Sequence, residues 1–272
     1  MLSDDVMKNS LTAYIEGIGL LGPGLPDWAS SQAILAGQQP YVPQKTVLPP
    51  PVLLPAAERR RSGDIIKLSL ATMLEAISAA RLDAASLPSV FSASNGDGYN
   101  CHIINEMLAS DDREISPTRF HNSVHNAAAG YCSIATGAMT PSAVLCAFDA
   151  SFGAGLLEAL TQVGVDGTRC VLVACDTDYP EPMRSVRKLP DAFGIALVLA
   201  PQSSPQAIAR IDVSITNEAA DRFDDAALET LRLTVPAARG LPLLRPITQG
   251  KAARVVLDYL DGTRLAVEVS PC

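Results

Sequence analysis

Apolar positions along the chain change period several times. Between Asp64 and Leu82, Ile66, Leu70, Met73, Ile77 and Ala80 recur at three and four residues, which predicts an amphipathic helix with one buried face. Short apolar runs predict buried strands at Ser89–Ser94, Ala143–Phe148, Cys170–Cys175 and Gly194–Ala200. Helices are predicted at Asp27–Leu35, with Gly37 as a stop, and at His102–Leu108, Asn122–Gly137 and Ser151–Val163. Pro40–Pro55 holds six prolines, so it reads as an extended loop. After Pro201 the pattern predicts a strand over Ala207–Ile215 and a helix over Asp224–Leu233. Two alternating strands then flank Asp261-Gly262, a hairpin signal. Alternating helices and short apolar strands imply an α/β protein with a mainly parallel, covered sheet.

Composition narrows the class. Of 272 residues, 48% are hydrophobic and 18% charged, enough for a sizeable core and against wholesale disorder. A net charge of −8 disfavours broad nucleic-acid binding, which depends on neutralising phosphates. No apolar run reaches membrane-spanning length, and Met1–Asn9 is too polar for a signal peptide. The six cysteines contain no C-x-x-C pair and read as reduced, mostly buried thiols, so a cytoplasmic protein is expected.

Four motifs could carry chemistry. Gly17-Ile-Gly19-Leu-Leu-Gly22 matches the dinucleotide fingerprint by letter, but Pro23, Gly24 and Pro26 spoil the helix that would face a pyrophosphate. A structural strand-to-loop turn is favoured, and no cofactor is expected. His121 and His125 share a helix face and could hold a metal, but no third acidic ligand is evident, so no metal site is expected. Cys146 with either histidine could form a thiol–imidazole pair, yet a place inside a strand would bury it. Glu58-Arg59-Arg60-Arg61 is either a solvated helix entrance or a docking point for an acidic partner.

The most telling stretch is Pro141-Ser-Ala-Val-Leu-Cys-Ala-Phe-Asp-Ala-Ser-Phe-Gly-Ala-Gly. It reads as a strand, a tight turn and a helix start, the layout that exposes a nucleophile at a strand-to-helix elbow. Its tip carries Asp149 in place of Cys or Ser.

Taken with this stretch, several segments resemble the N-terminal half of the β-ketoacyl synthases of the thiolase fold. They are Tyr14–Gly24, the long helix after Arg59-Arg-Arg, Ser116–Ala135, Cys170–Asp178 and Asp191–Leu199. The resemblance implies a thiolase-like α/β fold with a βαβαβαβ first half and a covered mixed sheet. It implies a synthase-like domain over 10–201 and a shortened β-α-β-hairpin region over 202–272. Three departures accompany it: Asp149 stands at the nucleophile position, no His follows His125, and the 71 residues after Pro201 are too few for a second half.

The chain is therefore similar to chain-length factors, with the short partner subunits of aryl-polyene clusters as the nearest kind. That implies a non-catalytic subunit, not an enzyme by itself, that forms a heterodimer with a full-length β-ketoacyl synthase. An acyl carrier protein is a second candidate partner; nucleic acid and membrane are not. Phe120, His121, His125, Cys146, Phe148, Asp149 and Phe152 are the candidates for the interface or acyl tunnel. The rival expectation is an independent thiol-dependent acyltransferase or hydrolase using Cys146 with His121 or His125.

Overall fold

The computed structural model describes residues 10–272, so Met1–Asn9 lies outside the described residues. One eight-stranded sheet organises the chain, in the order β3-β2-β4-β5-β1-β6-β8-β7. The strands are β1 (Leu11–Leu21), β2 (Ser89–Ser92), β3 (Ser142–Leu145), β4 (Cys170–Asp176), β5 (Phe193–Ala200), β6 (Ala209–Thr216), β7 (Ala253–Leu260) and β8 (Thr263–Pro271). Only β2 pairs parallel, with β3 and with β4; the other five pairings are antiparallel. The expectation of a mainly parallel sheet is corrected accordingly. Apolar runs signal strands buried on both faces, and both faces of β4 and β5 are covered here; they carry no information on strand direction.

On one face lie α3 (Asp64–Ala79) and α6 (Ala127–Thr136). The glycines of β1 explain the fit. A Cβ on Gly17 would stand 2.0 Å from the carbonyl oxygen of Ala76, and one on Gly19 would stand 2.0 Å from that of Thr72. Their absence lets the α3 backbone settle directly on the strand. The fingerprint-like glycines are thus packing residues. Ile66, Leu68, Leu70 and Ile77 of α3 are buried in this layer, each worth roughly 1.5–3 kcal/mol relative to exposure.

The other face is covered by α7 (Ser151–Asp166), α9 (Ala226–Thr234), a short 3₁₀ turn at Pro236–Gly240 and α10 (Leu241–Gln249). Asp225 caps α9 by accepting from the amides of Ala227 and Leu228. The Pro236 turn and α10 were not expected from the sequence. Pro236 and Pro242 each sit in the first turn, where a missing N–H costs nothing, and α10 tolerates Pro246 inside it. The helix expected over Asn122–Gly137 starts only at Ala127, as α6; Asn122 instead ends a separate short helix, α5 (Pro117–Asn122), with turns between them. Shorter helices complete the set: α1 (Trp28–Leu35), α2 (Ala56–Arg61), α4 (Gly98–Ala109) and α8 (Met183–Val186). Pro40–Pro51 has no regular structure, as expected.

The final 71 residues continue the same sheet. β6 pairs with β1, β8 with β6, and β7 with β8 through the Asp261-Gly262 turn. At their centre Arg232, almost fully buried, is held by Glu229 and Asp258. Among the described residues no helix is long and apolar enough to cross a membrane.

Candidate functional site at a strand-to-helix elbow

β3 ends at Leu145, Cys146 and Ala147 follow, and a single 3₁₀ turn at Phe148–Ala150 leads into α7. The strand stops three residues earlier than the apolar run suggested. Phe148 has φ +51°, one of two non-glycine residues among those described with a left-handed backbone. A non-glycine residue in that region marks a constrained turn. The chain fixes it from below: Ser151 Oγ donates to the Phe148 carbonyl and accepts from the Ala147 amide, and Ser92 Oγ donates to the Ser151 carbonyl. Gly155 allows α7 to approach β2, because a Cβ there would stand 2.7 Å from that of Ser92.

The tip is charged on one side and apolar on the other. Asp149 accepts from Arg187 Nη2 at 2.6 Å, and its second oxygen is 3.3 Å from Arg239 Nη2. The same Arg187 guanidinium lies over the Phe148 ring, 3.6 Å from its centroid. Both arginines are largely buried, whereas the Phe148 ring is exposed. Neither arginine was a candidate from sequence. They lie 38 and 90 residues from Asp149, and no local motif marks them; only the fold brings them to the elbow.

Behind the tip, Asp176 at the end of β4 is buried and accepts from the Ser94 amide and hydroxyl and from the Ala237 amide. Burial pushes its carboxyl up from the ordinary aspartate range; the three hydrogen bonds and the nearby Arg187 oppose this. The group ties β2, β4 and the Pro236 turn together at the base of the elbow.

The remaining candidates separate. Cys146 is exposed, which corrects the expectation that strand burial would shield it; it lies beyond the end of β3. Its Sγ donates to the Ser94 carbonyl, 3.1 Å away, rather than to a histidine. His121 and His125 are both exposed, on α5 and in the turn before α6, so they do not share one helix face as expected. His121 meets Tyr131 edge-on. Among the described residues no three His, Cys, Asp or Glu side chains gather as a metal site would require. Phe120 is exposed. Phe152, expected beside Phe148, is instead fully buried, its ring filling the space that a Cβ on Gly240 would occupy. It therefore presents no surface to another chain.

Several large apolar side chains between α5 and the elbow are exposed. Val124, Ile134 and Met139 stand out with Phe120 and Phe148, Met139 almost fully exposed. The cavity between α3, the end of β2 and the turn before α6 measures about 30 Å³, room for a water molecule but not for an acyl chain. Tyr131 helps to close this region by donating to Asn122, which in turn donates to the Arg61 carbonyl.

A fold of this kind, with a strand-to-helix elbow following its edge strand, can be set against known families. The profile described as Beta-ketoacyl synthase, N-terminal domain, matches residues 28–244, well over half the chain. The chain belongs to that family. The ketosynthase fold is equally clear from solved structures. A chain of the ketosynthase ApeO in complex with its chain length factor ApeC, from Xenorhabdus doucetiae, superposes with a TM-score of 0.73 at 20% identity, over 95% of this chain and 99% of that one. A chain of the ishigamide ketosynthase/chain length factor gives 0.70 at 15% identity, over 96% and 99%. A chain of AntDE:AntF, a type II polyketide synthase acyl-carrier protein in complex with its hexaketide-bound ketosynthase, gives 0.72 at 10%, over 97% and 100%. No curated protein sequence matches the chain.

Proposed function

We propose that this synthase-family chain is a catalytically silent, chain-length-factor-like subunit. It pairs with a full-length β-ketoacyl synthase and shapes that enzyme's acyl tunnel in fatty-acid-like or polyketide biosynthesis, aryl-polyene formation being the specific case. The observation that carries the reading is an elbow kept in shape without a nucleophile. In such turns the strained residue bears the attacking atom; here the left-handed residue is Phe148 and the next is Asp149. A phenyl ring cannot attack a thioester, and a carboxylate tied to two arginines is a poor nucleophile and cannot form a thioester. No His after His125 is available for malonyl decarboxylation.

The surroundings support a partner. The resemblance implies pairing through a sheet continued across two chains, and among the described residues β3 is an edge strand with the exposed Met139 shortly before it and the exposed Phe148 shortly after it. The matched chain-length-factor complexes agree with such a role. The cavity beside α3 and the turn before α6 is too small for an acyl chain, and the exposed Phe148 ring supports a role in which it projects into the partner's tunnel and excludes longer products. An acyl carrier protein serves the heterodimer as substrate donor. The domain reading that accompanies this function is a synthase-like unit over 10–201 extended by 202–272.

The test is reconstitution with malonyl-loaded carrier protein. The isolated chain yields no condensation and no decarboxylation; the mixture with its synthase yields product, and Phe148→Ala lengthens that product. Turnover by the isolated chain contradicts the proposal. Exposure of Cys146 keeps the thiol rival testable in the same samples. Fast alkylation of Cys146 at neutral pH, with turnover abolished by Cys146→Ala, would favour the acyltransferase or hydrolase.

A further inference from the structure

We propose that Arg187 is a positioning residue that fixes the orientation of the Phe148 ring, and so sets how sharply product length is limited. The inference rests on the length-limiting role of Phe148 proposed above. An exposed phenylalanine at a turn ordinarily samples several rotamers. Here one face of the ring is covered by a guanidinium 3.6 Å from its centroid, a stacking geometry of the cation–π class. The guanidinium is itself held. Its Nη2 donates to Asp149, whose other oxygen pairs with Arg239.

Arg239 sits in the Pro236–Gly240 turn, whose Ala237 amide is bonded to the buried Asp176 and whose Gly240 lies against the buried Phe152. The ring at the tip is thereby tied through three side chains, Arg187, Asp149 and Arg239, to the core. The pair Phe148-Asp149 acts as one unit: the carboxylate aims the guanidinium, and the guanidinium holds the ring. Lysine could pair with Asp149 but could not offer a flat face to the ring at the same time. Arg187→Lys therefore separates stacking from simple charge pairing.

The experiment co-produces the full chain with its synthase as wild type, Phe148→Ala, Arg187→Ala and Arg187→Lys. It measures the mass of each complex and the distribution of product lengths. Amide exchange at residues 147–150 is followed on the isolated chain. Arg187→Ala and Arg187→Lys should both form the heterodimer and broaden the distribution. The share of product outside the wild-type main length should rise about fivefold, the scale of losing one such contact, and elbow exchange should quicken. A wild-type distribution from Arg187→Lys overturns the inference, because charge pairing would then suffice. If Arg187→Ala does not assemble, Arg187→Lys decides alone. An unchanged distribution from an assembled Phe148→Ala complex instead overturns the length-limiting role. Elbow exchange in the isolated chain then still shows whether Arg187 orders the ring, so the two failures are told apart.

Discussion

The two free edges of the sheet are built differently. At the β7 edge the outward backbone is already engaged: Asp221 donates its amide to the Val256 carbonyl and accepts from the Val256 amide. Side chains there are paired as well, Arg254 with Glu218 and Glu268, and Arg264 with Asp258. At the β3 edge the carbonyls of Pro141 and Leu145 accept from Ser89 and Ala93 on the β2 side. Strand alternation therefore turns the N–H and C=O groups of Ser142 and Val144 outward, with no backbone partner among the described residues. A bare edge invites another strand, and proteins that stay single cover or charge theirs. One edge is finished within the chain; the other is left open, as the proposed pairing with a second chain requires.

Breaking the finished region should cost folding itself. Gly19→Ala drives a methyl to about 2 Å from the Thr72 carbonyl oxygen, and α3 cannot move without lifting from β1. A loss of about 3 kcal/mol or more is expected, seen as a fall in thermal midpoint of roughly 6–12 °C in the isolated chain. An unchanged midpoint would mean that α3 is not seated on the strand. Arg232→Ala should cost about 3 kcal/mol by leaving Glu229 and Asp258 facing a cavity, again measured on the isolated chain.

The open edge should respond in association only. Ile134 is half exposed on the outer side of α6, so Ile134→Glu should leave the thermal midpoint within a degree or so. Desolvating that charge against a partner should weaken heterodimer formation by about 2 kcal/mol, roughly 30-fold in Kd, read by titration calorimetry. Equal loss of folding and association would erase the distinction between the edges.

The smallest expected effect is a pH dependence that also belongs to the finished region. The hydrogen bond from Arg232 holds the Glu229 carboxyl below its ordinary range, against the cost of burial. For Glu16, burial is the largest influence and raises it, but Arg169 and Ser204 together outweigh it and the net direction is down. Depressed carboxylates stabilise the fold above their unfolded pKa, about 4.3 for glutamate, and lose that contribution as pH falls through the folded value. Acid titration of the thermal midpoint should therefore slope downward below about pH 4.5, and Arg232→Met should flatten the slope.

How much of this is legible in the sequence depends on whether the signal is local. The α3 helix and the β7–β8 hairpin are legible because their periodicity and the Asp261-Gly262 turn lie within a few residues. The elbow is legible as a strand-turn-helix pattern, but its strained residue is not: the sequence points to Asp149 as the tip, whereas the left-handed backbone falls one residue earlier, on Phe148. Strand direction is invisible, since a doubly covered strand reads the same parallel or antiparallel. α10 is hidden by prolines that punctuate loops as readily as they open helices. The arginine clamp is hidden because Arg187 and Arg239 reach Asp149 only through the tertiary fold.

The solution mass of this chain, measured alone and then mixed with its full-length β-ketoacyl synthase, tests the central claim most directly. The account predicts a one-to-one heterodimer that forms in preference to either homodimer and disperses with Ile134→Glu. A chain that keeps the same mass in the presence of the synthase, or a heterodimer indifferent to Ile134→Glu, contradicts it.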